Sequence, residues 1–322
     1  MNKIKKRMVV GLILVIALVV SACSPASDKA VNNNKTNNAE EAAQELKLTH
    51  KLGETIINKN PQKVVVFDYG VLDALDKMGV EVTAVPKGTS IPDSLKKYND
   101  EKYLGVGSLK EPDLEKIFEV KPDLIIISGR QSSYYEELKK IAPTLYIEIA
   151  DEDYMGSFKN NMNTLGKIFG KEDFVEKEIK ALDEKVAALK EKAAATGKNA
   201  LIILANDGSL SAYGEASRFG VIHNAFGFTP IDKNIEVSTH GQSVSFEYIV
   251  EKNPDYLFVI DRAAIAGGSK NAKQVLENDL MKTTKAFKEN KIVYLDPATW
   301  YVSTGGFNST LKMVEEVEAA IK

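Results

Sequence analysis

A single long amphipathic segment divides this chain into two halves with similar patterns of strands and helices. Between Lys171 and Ala195, apolar residues recur at spacings of four, three, four and three. They are Val175, Ile179, Leu182, Val186 and Leu189. This spacing places them on one stripe of a helix, and at the helical rise the segment spans about 37 Å. The pattern therefore predicts a helix long enough to join two lobes, with Gly197 as its C-terminal stop.

Both halves alternate short apolar runs with helical patterns. The predicted N-terminal strands are 63–67, 83–85, 103–106, 124–128 and 145–149, and the helices are 71–78, 112–120 with Pro112 in its first turn, 134–141 and 157–169. The predicted C-terminal strands are 200–204, 209–213, 256–260 and 292–295, and the helices are 218–226, 246–252, 272–278 and 309–321. Apolar strands separated by helices are typical of parallel sheets covered on both faces. We therefore predict an α/β fold of two Rossmann-like lobes with mostly parallel sheets, 46–170 and 197–322, joined by a single long helix, 171–196.

The two halves also match residue by residue at an offset of 132 positions. The matched pairs are Glu115 and Glu247, Ile117 and Ile249, Glu119 and Glu251, Pro122-Asp123 and Pro254-Asp255, and Arg130 and Arg262. Such a repeat indicates two lobes of related build. For the glutamates alone coincidence stays open, because a helix, Pro-Asp and a strand follow one another in many α/β chains.

The N-terminus has the pattern of a secretory signal. Four basic residues within 3–7 precede an apolar run, 8–20, that is too short to span a membrane. The run ends in Val20-Ser21-Ala22-Cys23, which resembles a bacterial lipobox. We predict a signal peptide over 1–22, lipidation of Cys23, the only cysteine, and a flexible tether over 23–45, where bulky apolar residues are scarce. A free or buried cysteine is the alternative.

Composition excludes several classes of protein. Removing residues 1–22 takes away four of 42 basic side chains, so 38 face 45 acidic ones and the formal charge becomes −7. Such a chain has no general affinity for nucleic acid. It lacks a Gly-x-Ser-x-Gly elbow, a Walker loop, a His-Glu-x-x-His pair and a cysteine pair, so we predict that it is not an enzyme. Asp151-Glu152-Asp153 is a possible cation site, but we interpret it as a solvated turn.

Arginine usage indicates a binding site. Only Arg130, Arg218 and Arg262 remain among the 38 basic residues after residue 22. Arg130 and Arg262 follow equivalent strands, and ligand sites of α/β sheets lie beyond the carboxyl ends of strands; Arg218 begins the predicted helix after strand 200–204 and its hairpin. At about 5 Å and a dielectric near 20, each cation–anion pair is worth roughly 3 kcal/mol. We therefore predict a shared cleft for a ligand with two or three negative charges; three unrelated surface salt bridges are the alternative.

Aromatic residues in predicted loops or at the ends of predicted strands and helices offer flat walls for a flat ligand. They are Tyr69, Tyr134, Tyr213, Trp300 and Tyr301. For each of them, a position in the core or on the rim of the cleft is the alternative.

Several segments together resemble a known family over about residues 46–322. They are the lipobox, KLGETIINKNPQKVVVF at 51–67, LEKI at 114–117, KPDLIII at 121–127 and the long interlobe helix. The chain resembles the iron-siderophore substrate-binding proteins of ABC importers, and its arginine triad is most similar to that of catecholate binders of the petrobactin type. The resemblance implies the class III fold, little closure around the ligand, a monomer, and delivery of the ligand to a permease.

The resemblance also implies roles for individual residues. Arg130, Arg218 and Arg262 would neutralise a ferric catecholate, with Tyr69, Tyr213, Trp300 and Tyr301 as further contacts. His240 and Tyr301 would ligate iron only where the siderophore leaves coordination sites open; lining of the cleft is the alternative. Glu115 and Glu247 would dock into a two-subunit permease served by its ATPase. Lipid on Cys23 would hold the protein on the extracellular face of the cell membrane, with a Gram-positive cell favoured, and no resident cofactor is expected.

Other ligands stay open as alternatives. Another anionic metal chelate would satisfy the same charges, whereas a free-metal site needs several His, Asp and Glu and has only His240 as a candidate. A ferric hydroxamate, neutral or cationic, is disfavoured by the charge argument, and cobalamin does not need three cations. We expect a structural role for His223 and no nearby partner for His50.

Overall fold

The computed structural model describes residues 44–88 and 91–321. The predicted signal peptide, Cys23 and all of the predicted tether except residues 44 and 45 lie outside the described residues. Within them, no helix is both long and apolar enough to cross a lipid bilayer.

An antiparallel hairpin, β1 (Glu45–His50) and β2 (Gly53–Asn58), opens the described chain. This hairpin was not predicted from the sequence, and its first strand begins inside the predicted tether. Its apolar residues alternate with charged and polar ones, so it resembles a surface segment in composition. The Thr55 hydroxyl donates to the Thr144 carbonyl over 2.5 Å, which attaches the hairpin to the first sheet.

The N-terminal sheet is parallel, and its described strands are ordered β5-β4-β3-β6-β7. The strands are β3 (Val64–Val66), β4 (Ala84–Val85), β5 (Leu104–Gly105), β6 (Leu124–Ile127) and β7 (Thr144–Tyr146). The helices around it are α1 (Tyr69–Lys77), α2 (Leu114–Val120), α3 (Tyr135–Ile141) and α4 (Tyr154–Phe169). Most strand residues are fully buried, as apolar runs between two helical layers require. Strand β7 is shorter than the predicted strand 145–149, which leaves 147–151 free to line a cavity.

The C-terminal sheet is mixed, with described strands ordered β11-β9-β8-β12-β13 and β10 paired with β8. The strands are β8 (Asn199–Asn206), β9 (Ser209–Tyr213), β10 (Thr229–Pro230), β11 (Gln242–Val244), β12 (Tyr256–Asp261) and β13 (Ile292–Leu295). The helices are α6 (Val221–Asn224), α7 (Phe246–Lys252), α8 (Arg262–Ala266), α9 (Ala272–Leu276), α10 (Asp279–Lys282), α11 (Lys285–Lys288) and α12 (Phe307–Ala320). The predicted hairpin of β8 and β9 is confirmed. The predicted helix 218–226 is wrong in extent, because α6 starts at Val221 and Arg218 lies in the turn before it.

Between the segments that form the two sheets runs the predicted long helix, α5 (Glu172–Ala195). Its buried residues include Val175, Leu182 and Leu189, so the predicted apolar stripe is confirmed. Gly197 has a φ of +62°, the left-handed conformation that ends helices. The lobe boundaries at 170 and 197 remain predictions.

The repeat predicted from the sequence is visible in the backbone. Helices α2 and α7 each have seven residues, and each ends at a residue in the left-handed conformation, Lys121 (φ 51°) and Asn253 (φ 46°). Pro112 lies before the helix cap Asp113, so its predicted place in the first turn of the helix is wrong.

The Asp of each Pro-Asp pair has the same role in both halves. The Asp123 carboxylate accepts the backbone N–H of Lys63 over 2.8 Å, just before β3. The Asp255 carboxylate accepts the backbone N–H of Asn199 over 3.1 Å, at the start of β8. Each Pro-Asp pair therefore fixes the register of the strand beside it.

Helix α12 packs on α1, an element of the N-terminal half. The buried Asp73 of α1 accepts the backbone N–H of Ser309 over 3.0 Å and the side-chain amide of Asn308 over 2.9 Å. The first N–H groups of a helix lack partners within the helix. The bond from the Ser309 N–H to Asp73 therefore caps the start of α12 from another part of the chain. The segment before α12 also contacts the N-terminal half, because the Tyr301 carbonyl accepts from Arg130 over 2.6 Å and the Gly305 N–H donates to the Tyr154 hydroxyl over 3.0 Å.

Candidate functional site

A cavity of about 510 Å³ lies where strands of both sheets end. Asp68 follows β3, Arg130 follows β6 and Asp151 lies after β7, whereas Arg262 follows β12 and Tyr301 lies after β13. All are beyond the carboxyl ends of parallel strands, where α/β sheets place their ligand sites.

The three predicted arginines converge on one residue, Tyr301. The Arg130 guanidinium donates to the Tyr301 carbonyl over 2.6 Å, and that of Arg218 donates to the same oxygen over 3.2 Å. The Arg262 Nε donates to the Tyr301 phenol oxygen over 2.9 Å. All three line the cavity, so the predicted convergence is observed. None of them forms an ion pair within the described residues, where every salt bridge involves lysine.

Tyr301 supports the arginines by its backbone and by its ring. Residues 298–302 form a π-helical turn, and the Tyr301 carbonyl within it accepts from two guanidinium groups. The Arg218 guanidinium carbon lies 4.7 Å from the centre of the Tyr301 ring, and that of Arg262 lies 5.7 Å from it. Arg262 also donates to the Asn206 side-chain oxygen over 2.8 Å. Because these contacts fix the guanidinium planes, the arginines are arranged before any ligand arrives.

The cluster has an excess of positive charge that its own groups do not neutralise. Burial lowers the pKa of Arg218, and repulsion from the nearby Arg130 lowers it further. Burial raises the pKa of Tyr301, but the Arg262 hydrogen bond and the charges of Arg262, Arg218 and Arg130 outweigh burial and lower it overall. A negative group is therefore favoured in this cavity.

An alkaline titration followed by tyrosinate absorbance tests this electrostatic arrangement. We expect Tyr301 to ionise early in the titration, because three cations stabilise its phenolate and lower its pKa, and we expect Tyr301→Phe to remove that first step. A depressed folded-state pKa adds stability that is full above the unfolded value of about 10 and is lost as pH falls through the folded-state pKa. Arg262→Met should shift the first step to higher pH. An unchanged first ionisation in Tyr301→Phe would contradict the assignment.

Three of the predicted aromatic contacts lie in the core. Trp300 is 0 % exposed, and its indole N–H donates to the Glu316 carboxylate over 2.8 Å. Tyr69 and Tyr213 are 1 % and 2 % exposed, and Tyr134 is half-buried against the core. These positions agree with the alternative of core or rim for the four side chains, because burial of large apolar surface is favourable. Their contact with a ligand stays a prediction. Tyr301 alone among the predicted aromatics lines the cavity.

The three histidines differ in environment. His240 is exposed and lines the cavity beside Thr239, which fits the predicted lining role, while its ligation of iron stays a prediction. The buried His223 bonds to the Phe228 carbonyl through Nδ1 over 2.9 Å, in agreement with a structural role. The expectation for His50 is wrong, because its Nε2 lies 2.9 Å from the Thr55 hydroxyl.

Several residues of the cavity were not predicted from the sequence. They are Asp68, Lys110, Glu148 and Asp151 on the cavity wall, and Asn206 behind Arg262. The signal for Asp68 is its position directly after the predicted strand 63–67. Asp151 belongs to the acidic run that we interpreted as a solvated turn; its neighbour Asp153 does cap α4, accepting the Gly156 N–H over 2.9 Å.

Glu115 and Glu247 lie in the first turns of α2 and α7, and both are exposed. Hydrogen bonds from its own backbone and from the Ser245 side chain lower the pKa of Glu247, so it is an anion at neutral pH. Neither residue contacts the cavity, and their docking role stays a prediction. Within the described residues, no group of three or more His, Cys, Asp or Glu is placed to hold a metal ion.

Comparison with known proteins gives consistent similarities. The sequence model of one family, described as periplasmic binding protein, matches residues 64–299. The chain is 47 % identical over 322 residues to the petrobactin-binding protein YclQ of Bacillus subtilis, covering 99 % of each chain. The crystal structure of that protein superposes with a TM-score of 0.85 at 50 % identity, covering 87 % of this chain and 99 % of the other. The catecholate-siderophore binding protein VctP of Vibrio cholerae gives a TM-score of 0.82 at 40 % identity, covering 86 % and 100 %.

Proposed function

Because this chain belongs to the periplasmic binding protein family, we propose that it binds a ferric catecholate siderophore of the petrobactin type and delivers it to an ABC permease for iron uptake. The observation that carries the proposal is the meeting of Arg130, Arg218 and Arg262 at Tyr301 in one cavity. A ferric catecholate is a compact anion with flat aromatic rings, so it suits permanently charged, forked donors. The similarity to a petrobactin-binding protein supports the same ligand class.

Iron arrives as part of the ligand in this proposal, and the protein needs no resident cofactor. Where a siderophore supplies only four donor atoms, the His240 imidazole and the Tyr301 phenolate complete the coordination of iron. Both side chains line the cavity, and the arginine charges that lower the pKa of Tyr301 favour the phenolate that iron prefers. With a siderophore that fills all six sites, the two residues only line the cavity.

Delivery requires an anchor and a docking surface. We place the lipid anchor on Cys23, outside the described residues, and the protein as a monomer on the extracellular face of the cell membrane, in a Gram-positive cell rather than a Gram-negative one. Glu115 and Glu247 would contact basic pockets of a two-subunit permease. Their positions in equivalent turns of the repeated helices α2 and α7 support one contact with each subunit.

Another anionic metal chelate is the alternative ligand, since it would use the same three cations. A free metal ion is less favoured. Such a site needs several nitrogen and oxygen ligands, and those that the cavity offers, His240 and carboxylates, lie beside three cations.

Quenching of tryptophan fluorescence tests the ligand class. Trp300 is the only tryptophan, and although it is buried it directly precedes Tyr301. Ferric chelates absorb where tryptophan emits, so a bound chelate should quench the emission by energy transfer without contact. We expect saturable quenching by ferric catecholates at low concentration and none by ferric hydroxamates. An equal response to both classes would overturn the charge argument.

A further inference from the structure

The turn between β8 and β9 holds both ends of the segment 262–270, which follows β12. The turn consists of Asp207 and Gly208, and the flanking residues Asn206 and Ser209 form the last pair of the hairpin ladder. Asp207 and Gly208 have φ values of +53° and +95°, as a type I′ turn requires. A tight turn of this kind directs the side chains beside it in a fixed way.

Two neighbouring side chains of the turn bind the two ends of the segment. The side-chain oxygen of Asn206 accepts from Nη1 of Arg262 over 2.8 Å. The Asp207 carboxylate accepts the backbone N–H groups of Ser269 and Lys270 over 2.7 and 2.9 Å, and the Ser269 hydroxyl over 2.9 Å. The turn therefore contacts the segment at its first residue and again near its last.

The segment 262–270 has little stability of its own. It consists of α8, which has five residues, and a link that contains Gly267 and Gly268. An isolated helix of this length is not stable in water, and glycine gives the link additional freedom. A Cβ at Gly268 would lie 2.5 Å from that of Ala263, so the link folds back closely onto the helix. The position of the segment therefore depends on its contacts with the rest of the chain.

The turn fixes Arg262 through a neutral acceptor. The Asn206 amide carries no charge, so the bond to Arg262 leaves the positive charge of the guanidinium available to a ligand. Asp207 is the charged residue of the turn, but it is exposed and does not line the cavity. Hydrogen bonds from Lys270 and Ser269 lower the pKa of Asp207, so its charge is used to hold the segment.

This arrangement is a departure from the repeat. In the described N-terminal half β3 leads into α1, whereas in the C-terminal half β8 leads into the hairpin. Arg130, the counterpart of Arg262 at the offset of 132, donates within the described residues to the Tyr301 carbonyl alone. The hairpin therefore adds a second support to one arginine of the pair.

On the basis of the proposed function, we infer that Asn206 and Asp207 are positioning residues for siderophore binding, because their turn holds the Arg262 guanidinium in the direction in which it meets the ferric catecholate. Hydrogen bonds from a guanidinium to an anion depend on direction. A guanidinium that is fixed before binding also avoids the entropy cost of ordering it. Asp207 acts on the site from outside the cavity, through the segment 262–270.

Replacement of Asp207 by glycine tests the inference, because glycine keeps the backbone of the turn and removes only the bonds to the segment. We expect the ferric complex of a bis-catecholate to bind about fivefold more weakly to Asp207→Gly, the cost of ordering one long side chain. Asp207→Asn keeps an oxygen acceptor and should recover most of the affinity. Asn290→Gly, at an exposed residue with a φ of 55° that does not line the cavity, is the control and should bind as the wild type does.

Two readouts separate the positioning of Arg262 from a general loss of structure. In the Arg262→Met background, Asp207→Gly should cause no further loss of affinity, because its effect passes through Arg262. Without ligand, Asp207→Gly should raise the pH at which Tyr301 ionises, because a loosened Arg262 stabilises the phenolate less. Wild-type affinity in Asp207→Gly would overturn the inference, and so would an equal loss of affinity with and without Arg262.

The outcomes also separate this inference from the proposed function. If the wild type does not bind the bis-catecholate complex, the proposed function fails. The titration without ligand then still decides whether the turn positions Arg262, since an unchanged ionisation of Tyr301 in Asp207→Gly would overturn the inference by itself.

Discussion

Replacement of Arg130, Arg218 or Arg262 by methionine is expected to weaken the binding of a ferric catecholate by about ten- to a hundredfold each. A hydrogen bond to a charged group contributes about 1.5–3 kcal/mol, and each arginine offers forked donors to the same anion. Methionine keeps the buried aliphatic part of the side chain, so the loss reports on the charge and its hydrogen bonds. Fluorescence titration of the three variants measures the effect.

The same variants should be as stable as the wild type, or more stable. Burial and repulsion from Arg130 already lower the pKa of Arg218, so removing one cation relieves repulsion among the others. This relief offsets the lost hydrogen bonds to Tyr301 and Asn206 and the lost ring contacts of Arg218 and Arg262 with Tyr301. Thermal melting of each variant checks this, and Lys233→Met, at an exposed lysine away from the cavity, is the control for loss of one positive charge. Wild-type affinity in all three arginine variants would contradict the proposed site.

The arginine cluster was predictable because arginine is rare in this chain, so each arginine position is easy to recognise in the sequence. Lysine supplies the surface charge of this chain, so an arginine after the same strand in each half stands out, and strand ends converge by topology. Tyr301 was predicted as a flat wall, a siderophore contact and a possible iron ligand, but not as the residue that holds the three arginines. Its use of a backbone carbonyl to hold Arg130 and Arg218 depends on a π-helical turn, which no local pattern in the sequence indicates.

Burial was the least predictable property of individual side chains. Trp300 and Tyr301 are adjacent and both follow β13, yet one packs in the core against Phe226 and the other faces the cavity. The direction of each side chain is set by residues distant in sequence, such as Glu316 for Trp300. In the same way, Asp151 lines the cavity whereas Asp153 caps α4. This difference within the acidic run 151–153 depends on the positions of β7 and α4.

Replacement of both Glu115 and Glu247 by glutamine is expected to reduce siderophore-dependent iron uptake by about tenfold or more, with no change in siderophore affinity. Both side chains are exposed and do not line the cavity, so binding should be unaffected. Exposed charges at an interface govern the rate of encounter and the orientation of docking more than the stability of either partner. Uptake of radioactive iron by cells that carry only the variant protein, beside fluorescence titration of the purified variant, measures the two effects.

The repeat supplies a matched control for this experiment. Glu119 and Glu251 are exposed, lie on the same two helices and are also separated by 132 positions, but they lie one turn further along each helix. Glu119→Gln with Glu251→Gln removes the same charge from equivalent places in both halves, so a general effect of net charge would lower uptake in both double variants. Docking through the first turns predicts a loss only for Glu115 and Glu247. Because each half would contact one subunit, either single replacement should give a partial loss, and a single replacement without any effect would argue against a two-point contact.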